Sequence, residues 1–205
     1  MNELLQILIT MAQGVALWAI IYRWEFIKHT TERYFLFYLI YIMINEVIAK
    51  ILTYSDLGNY ALYNIYDLVT YSFFLFWFSK IIPYKKVINA LLALYVIGLL
   101  TSLFIEDPIH SFLNIHVYTG TTIILILVVL YFASLLQQEQ IIHYLKTPAF
   151  WITTGLLLFH MGYIPIQFLL SFENFDRTGI YAVLSILNIL QYGCFTKGFL
   201  CNQRK

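Results

Sequence analysis

Charge is scarce in this chain. Its 205 residues include twelve Lys and Arg and eleven Asp and Glu, or 11%, where a water-facing globular domain carries about a quarter. That is too little to cover a surface in water, so lipid is the expected solvent for most of the outside. The net charge of +1 is spread along the loops without a basic patch, and no direct nucleic-acid binding is expected. Only two cysteines occur, Cys194 and Cys201. A disulfide scaffold is excluded, and both are expected as reduced thiols packed as small apolar groups, with palmitoylation the less favoured use. HxxxH, HExxH and GxSxG spacings are all missing, which removes the local signatures of helical zinc sites and of the nucleophile elbow. No stretch reads as a soluble domain, and the longest loop, 137–148, has twelve residues. Nothing on the cytoplasmic side is expected to phosphorylate, cyclise or cleave a substrate by itself. The apolar segment from Leu4 onward is too long for a signal-peptide h-region and has no basic n-region, so it is expected as a retained helix.

What the chain has instead is apolar length. Hydrophobic residues make up 61% and aromatics 19%. With about 20 residues per crossing, it divides into seven spans: 4–22, 34–52, 60–80, 87–105, 111–136, 149–170 and 179–200. The expected fold is all-α, a single seven-helix transmembrane domain over 1–205. Pro165 falls inside the sixth span, where a kink is expected. Arg23, Lys28, Arg33, Lys80, Lys85, Lys86, Lys146, Lys197, Arg204 and Lys205 flank one side, against Lys50 and Arg177 on the other. The positive-inside rule then predicts an outer N-terminus and a cytoplasmic C-terminus. Trp18, Trp24, Trp77 and Trp151 are expected in the aromatic belt on the cytoplasmic side.

The third span carries the most unusual chemistry. Tyr63, Asn64, Asp67, Thr70 and Tyr71 share one helix face. An ionised residue at mid-bilayer costs about 3 kcal/mol unless paired or hydrated, so this face should turn toward protein or water. Glu46 and Asp67 lie at one depth, roughly 10 Å below the outer surface, with Lys50 placed for an i,i+4 pair with Glu46. His116, Thr119, His160, Ser185 and Asn188 fall in the same outer half, above an inner half rich in Phe35, Phe37, Phe73, Phe74, Phe76 and Phe78. Two readings stand: a polar pocket for a ligand or ion lined by Glu46, Asn64, Asp67, His116, Thr119, His160, Ser185 and Asn188, or interhelical hydrogen bonding alone. The pocket is preferred. Glu46, Asp67, His116 and His160 are acceptable zinc ligands by type, but each comes from a different helix, so no metal and no cofactor is expected. Retinal is excluded, because Lys197 lies near the cytoplasmic end of the last span.

The segments NEVIAKIL, YNIYDLVTYSFFLFWF, TPAFWITTGLLLFHMGY and ILNILQYGCFTKGFLC resemble a family of short bacterial seven-helix membrane proteins. Glu46, Tyr63, Asn64, Tyr66, Pro148, Phe150, Trp151, Gly155, Asn188, Tyr192, Gly198, Phe199 and Cys201 occupy the matching places, while His160 departs from the apolar or aromatic residue expected there. The resemblance implies a multi-pass protein of the bacterial cytoplasmic (inner) membrane that works with a separate signalling protein.

The expected function is a non-enzymatic sensor or accessory module. Its partners would be the bilayer and a separate cytoplasmic signalling or effector protein touching Trp24, Phe26, Lys85 and Lys86; a homo-oligomer is compatible with this. The alternatives are a small transporter or ion channel using Glu46 and Asp67, a membrane accessory of a bacterial defence system regulating a soluble nucleic-acid effector, and a metal-dependent intramembrane hydrolase.

Overall fold

The computed structural model describes residues 3–54, 58–137, 145–170 and 177–201. Among them there is no strand. The helices are α1 (Glu3–Tyr22), α2 (Trp24–Ile27), α3 (Tyr34–Tyr54, entered through a 3-10 turn at Thr31–Arg33), α4 (Tyr60–Ile81), α5 (Lys85–Ile105), α6 (Asn114–Leu136), α7 (Pro148–Leu170) and α8 (Arg177–Leu200). Six of these, α1, α3, α5, α6, α7 and α8, are long and apolar enough to cross a membrane, which marks a multi-pass membrane protein. At 22 residues α4 is as long as the others, but Asn64, Asp67, Thr70, Ser72, Ser79 and Lys80 make it less apolar. The loop residues expected at 55–57, 138–144 and 171–176, and Arg204 and Lys205, lie outside the described residues.

The chain divides into two compact units, Met1–Leu39 with Phe132–Lys205, and Ile40–Tyr131. In the first, α8 packs against both α1 and α7. Glycine brings α7 and α8 together: a Cβ on Gly155 would lie 2.9 Å from the Gln191 carbonyl, and one on Gly162 would lie 2.5 Å from Leu187. Pairing of 155 with 191 and of 162 with 187 makes the two helices antiparallel. The core is completed by Phe35, whose ring meets Phe195 at 5.6 Å and Phe199 at 5.9 Å edge to face, a favoured aromatic geometry.

In the second unit α4, α5 and α6 pack through small residues and aromatics. The ring of Tyr71 lies where a Cβ on Gly120 would go, at 2.7 Å, and Thr119 fills the space beside Gly98 at 2.6 Å. Phe74, Trp77 and Phe78 of α4 are buried with Ile123, Ile124, Leu127 and Val128 of α6. The aromatic inner half thus differs from expectation in detail. Phe37 is 66% exposed and Phe76 40% exposed, because they point away from their units. Trp77, expected in the interfacial belt, is fully buried; on a helix whose neighbours cover this face, the indole serves as core.

Candidate functional site

The polar chemistry with mutual geometry sits in the second unit, around α4. Asn64 opens it. Its side-chain amide donates to the carbonyls of Pro108 and Ser111, both at 2.9 Å, and its carbonyl oxygen accepts from Leu113 N–H at 3.0 Å. Both amide hydrogens are therefore used in pinning the α5–α6 loop to α4. Glu106 fastens the same loop from the other side. Its carboxylate accepts the backbone N–H of Asn114 at 3.0 Å and of Ile115 at 3.3 Å, together with the Ser102 hydroxyl. A carboxylate on the free N–H groups at a helix start is favourable by hydrogen bonding and by the helix dipole, which explains why α6 starts at Asn114 rather than at the expected residue 111. Asp107 closes a turn by accepting from Ile109 N–H at 2.9 Å and pairing with His110 at 2.7 Å. The Ile109 N–H, then the His110 ring, hold the Asp107 carboxyl below the usual carboxylate range.

One turn deeper lies an aromatic–imidazole cluster. His116 is fully buried, and its Nε2 lies 2.9 Å from the Tyr95 hydroxyl. That hydroxyl also lies 3.3 Å from the Leu68 carbonyl of α4, so one phenol joins α4, α5 and α6. Nδ1 is buried and has no hydrogen-bond partner among the described residues. The His116 ring stands edge-on to Tyr71 at 5.5 Å and lies 5.3 Å from Tyr95; the Tyr71 hydroxyl pairs with Thr121 at 2.8 Å. Ser102, buried between Glu106 and His116, accepts the His116 backbone N–H at 3.3 Å.

Asp67 flanks this cluster. It is half-buried and within electrostatic reach of Tyr41 on α3 and Tyr95 on α5. It has no hydrogen bond or ion pair among the described residues. Glu46 is half-buried near Tyr63, and among the described residues it forms no ion pair with Lys50. Thr119 spends its hydroxyl on the Ile115 carbonyl at 2.7 Å.

His160, Ser185 and Asn188 belong to the first unit. Each donates to, or lies against, a carbonyl one turn back: His160 Nδ1 is 3.0 Å from Leu156 O, Ser185 2.7 Å from Tyr181 O, and Asn188 2.9 Å from Leu184 O. The eight expected pocket residues are therefore distributed over two units. Asp67 lies within electrostatic reach of Tyr95, which pairs with His116, and Asn64 of α4 pins the loop beside them. No three metal-ligating side chains come together among the described residues.

Sequence reading missed Tyr95, Ser102 and Glu106. Leu91, Tyr95, Gly98 and Ser102 recur at steps of 4, 3 and 4 and are all buried, so the period that marks one helix face would have put Tyr95 and Ser102 inside. Of the expected partner-facing residues, Trp24 is half-buried and Phe26 is 66% exposed, with the Arg23 guanidinium 4.5 Å above its ring. Lys85 and Lys86 are exposed, the former donating to the Ser79 carbonyl. No protein-family model, curated protein or solved structure matches the chain.

Proposed function

We propose that the protein is a non-enzymatic sensor or accessory module of a bacterial cytoplasmic membrane, with α4 as a seventh span, the N-terminus outside and the C-terminus in the cytoplasm. A stimulus acting on the polar cluster of α4, α5 and α6 changes how these helices pack, and a separate cytoplasmic protein reads the change at Trp24, Phe26, Lys85 and Lys86. The observation that carries this reading is the bonding along one face of α4. Asn64 holds the α5–α6 loop, the Leu68 carbonyl holds Tyr95 of α5, and Tyr71 holds Thr121 of α6, while Asp67 in their midst has no such bond. Protonating or binding Asp67 would alter a charged group without a hydrogen bond, among the described residues, on the helix that ties the others together. The likeness to short bacterial seven-helix proteins that work beside signalling proteins supports the same role.

The unpartnered carboxylate also favours a second reading, a small transporter or channel in which Asp67 carries a proton or cation. Asp67→Asn separates the two, because it keeps shape and hydrogen-bonding capacity and loses the charge. With photo-crosslinkers at Trp24 and Lys86, the sensor reading expects a specific cytoplasmic protein to be captured and its yield to change by several-fold in Asp67→Asn at equal membrane abundance. Proton or cation flux in liposomes, lost in Asp67→Asn, would select the transporter. An unchanged crosslink yield overturns the sensor.

A further inference from the structure

Where α4 begins, three aromatic rings meet on the surface of the second unit. Tyr60 and Tyr63 lie one turn apart on α4, and Phe112 comes from the α5–α6 loop. The Phe112 ring is 4.9 Å from Tyr60 and 6.3 Å from Tyr63. Its backbone is held on both sides. The Ser111 carbonyl and the Leu113 N–H are both bonded to Asn64, and the Phe112 carbonyl accepts the Asn114 N–H at 3.0 Å and its side-chain amide at 3.2 Å. A loop residue fixed in this way keeps its ring over α4 before anything binds, which lowers the ordering cost of binding.

The rings touch but are not covered. Tyr60, Tyr63 and Phe112 are 39%, 40% and 44% exposed, so part of each remains open. Tyr60 stands at 78° to Phe112, and Tyr63 is tilted 47° to it, so the rings form angled walls rather than a flat floor. Other rings carry a cation of the protein's own: Arg23 lies over Phe26, Arg33 over Tyr34, Lys80 over Phe76 and Lys197 over Trp151. Among the described residues no Arg or Lys lies over Tyr60, Tyr63 or Phe112. Negative charge is close by. α3 runs antiparallel beside α4, with Asn59 bonded to Thr53 at 2.8 Å and Tyr41 stacked on Tyr66 at 6.3 Å. Between these contacts Glu46 lies within electrostatic reach of Tyr63, and its carboxylate forms no ion pair with Lys50 among the described residues. The start of α4 carries about half a positive charge, which the full charge of Glu46 exceeds.

We propose that Tyr60, Tyr63 and Phe112, backed by Glu46, bind a quaternary ammonium group, of a small soluble cation or of a phosphocholine headgroup. Ring faces attract such a cation within about 6 Å of their centroids, and Phe112 is close enough to both tyrosines for one cation to reach more than one ring. A metal ion needs several oxygen ligands and finds one carboxylate here. A quaternary ammonium has no N–H to satisfy and requires only open ring faces and a counter-charge. The site does not use Asp67 and stands or falls apart from the sensor reading.

The test is a ligand-detected NMR titration of the full chain in maltoside detergent. The probes are choline and its uncharged isostere, in which a tert-butyl group replaces the trimethylammonium. Each ring contributes roughly a two- to fivefold preference for the cation, so choline should bind roughly tenfold or more tightly than the isostere. Phe112→Leu, which keeps an apolar side chain in an exposed loop, loses roughly two- to fivefold of this. Tyr63→Leu does the same, whereas Tyr63→Phe keeps the ring and the affinity. Glu46→Gln weakens choline binding, and more so at low salt than at high. Trp18→Leu removes an exposed ring from the first unit and leaves binding unchanged. Displacement of choline by short-chain phosphatidylcholine but not by phosphatidylglycerol assigns the site to a lipid headgroup, and displacement by neither assigns it to a soluble cation. Displacement by both lipids, absent choline binding, or equal binding of choline and the isostere overturns the proposal. So does unchanged choline binding in Phe112→Leu and Tyr63→Leu, or an equal loss in Trp18→Leu.

Discussion

At the scale of single residues, the second unit depends on side chains that satisfy backbone groups. Asn64→Ala would strip partners from two carbonyls and from the N–H of Leu113, which is 3% exposed. Leaving buried polar groups unpaired costs about 1–3 kcal/mol, and for a chain of this size that lowers Tm by roughly 2–10 °C, measured by thermal unfolding in detergent. Asn64→Asp is expected to fall between Ala and wild type, since it keeps the acceptor for Leu113 and loses the donors. None of this was legible in the sequence. Asn64 was visible as a polar residue on an apolar helix, but its partners lie more than 40 positions away, and a backbone carbonyl leaves no trace in residue identity. Asp107 gives a second expectation, set by pH. Its folded carboxyl is held low by Ile109 N–H and His110, so its turn is fully stabilised above the unfolded carboxylate value, about 3.9, and is lost as pH falls through the lower folded value. Hydrogen-exchange protection at the Ile109 and His110 amides should therefore be constant near pH 5 and disappear on further acidification. In Asp107→Asn it should be reduced at every pH.

At the scale of elements, helix positions were readable because lipid demands long apolar runs, and every break between them carried Pro, Gly or charge. The start of α6 was misplaced because the 106–114 loop is shaped by tertiary hydrogen bonds that replace helical ones. Gly155 and Gly162 could be read from the sequence as sites of close packing, but Gly98 and Gly120 could not, because a close approach is a property of two helices. Gly120 and Gly193 make the contrast. A Cβ at Gly120 would sit 2.7 Å from Tyr71 ring atoms, whereas at Gly193 nothing lies within 4 Å. Tyr71 cannot withdraw cheaply, since its hydroxyl is bonded to Thr121 and its ring abuts His116. Gly120→Ala should therefore destabilise by about 1–3 kcal/mol through overpacking. Gly193→Ala should stabilise by up to about 1 kcal/mol through helix propensity. Equal effects in a thermal unfolding comparison would mean that Gly120 is not a packing site.

For the whole molecule, the number of membrane crossings turns on α4. Its 22 residues extend about 33 Å at 1.5 Å per residue, enough for a hydrocarbon core of about 30 Å. Its polar content argues against lipid only if it faces lipid. Asn64 and Tyr71 are buried, at 5% and 4% exposure, and their polar atoms are spent on the α5–α6 loop and Thr121. Ile65 and Phe76, 54% and 40% exposed, present apolar surface. Sidedness gives a parity test. Seven crossings put the two termini on opposite sides; six put them on the same side, whatever the overall orientation. Reporters fused at the N-terminus, after Asn59, after Pro108 and at the C-terminus should read outside, outside, outside and cytoplasm. Termini on one side would remove α4 from the membrane, and with it the reading of Asp67 as a half-buried group that responds to a stimulus. Opposite termini with a cytoplasmic N-terminus would keep all seven crossings and reverse the sidedness, moving Trp24, Phe26, Lys85 and Lys86 out of reach of any cytoplasmic partner.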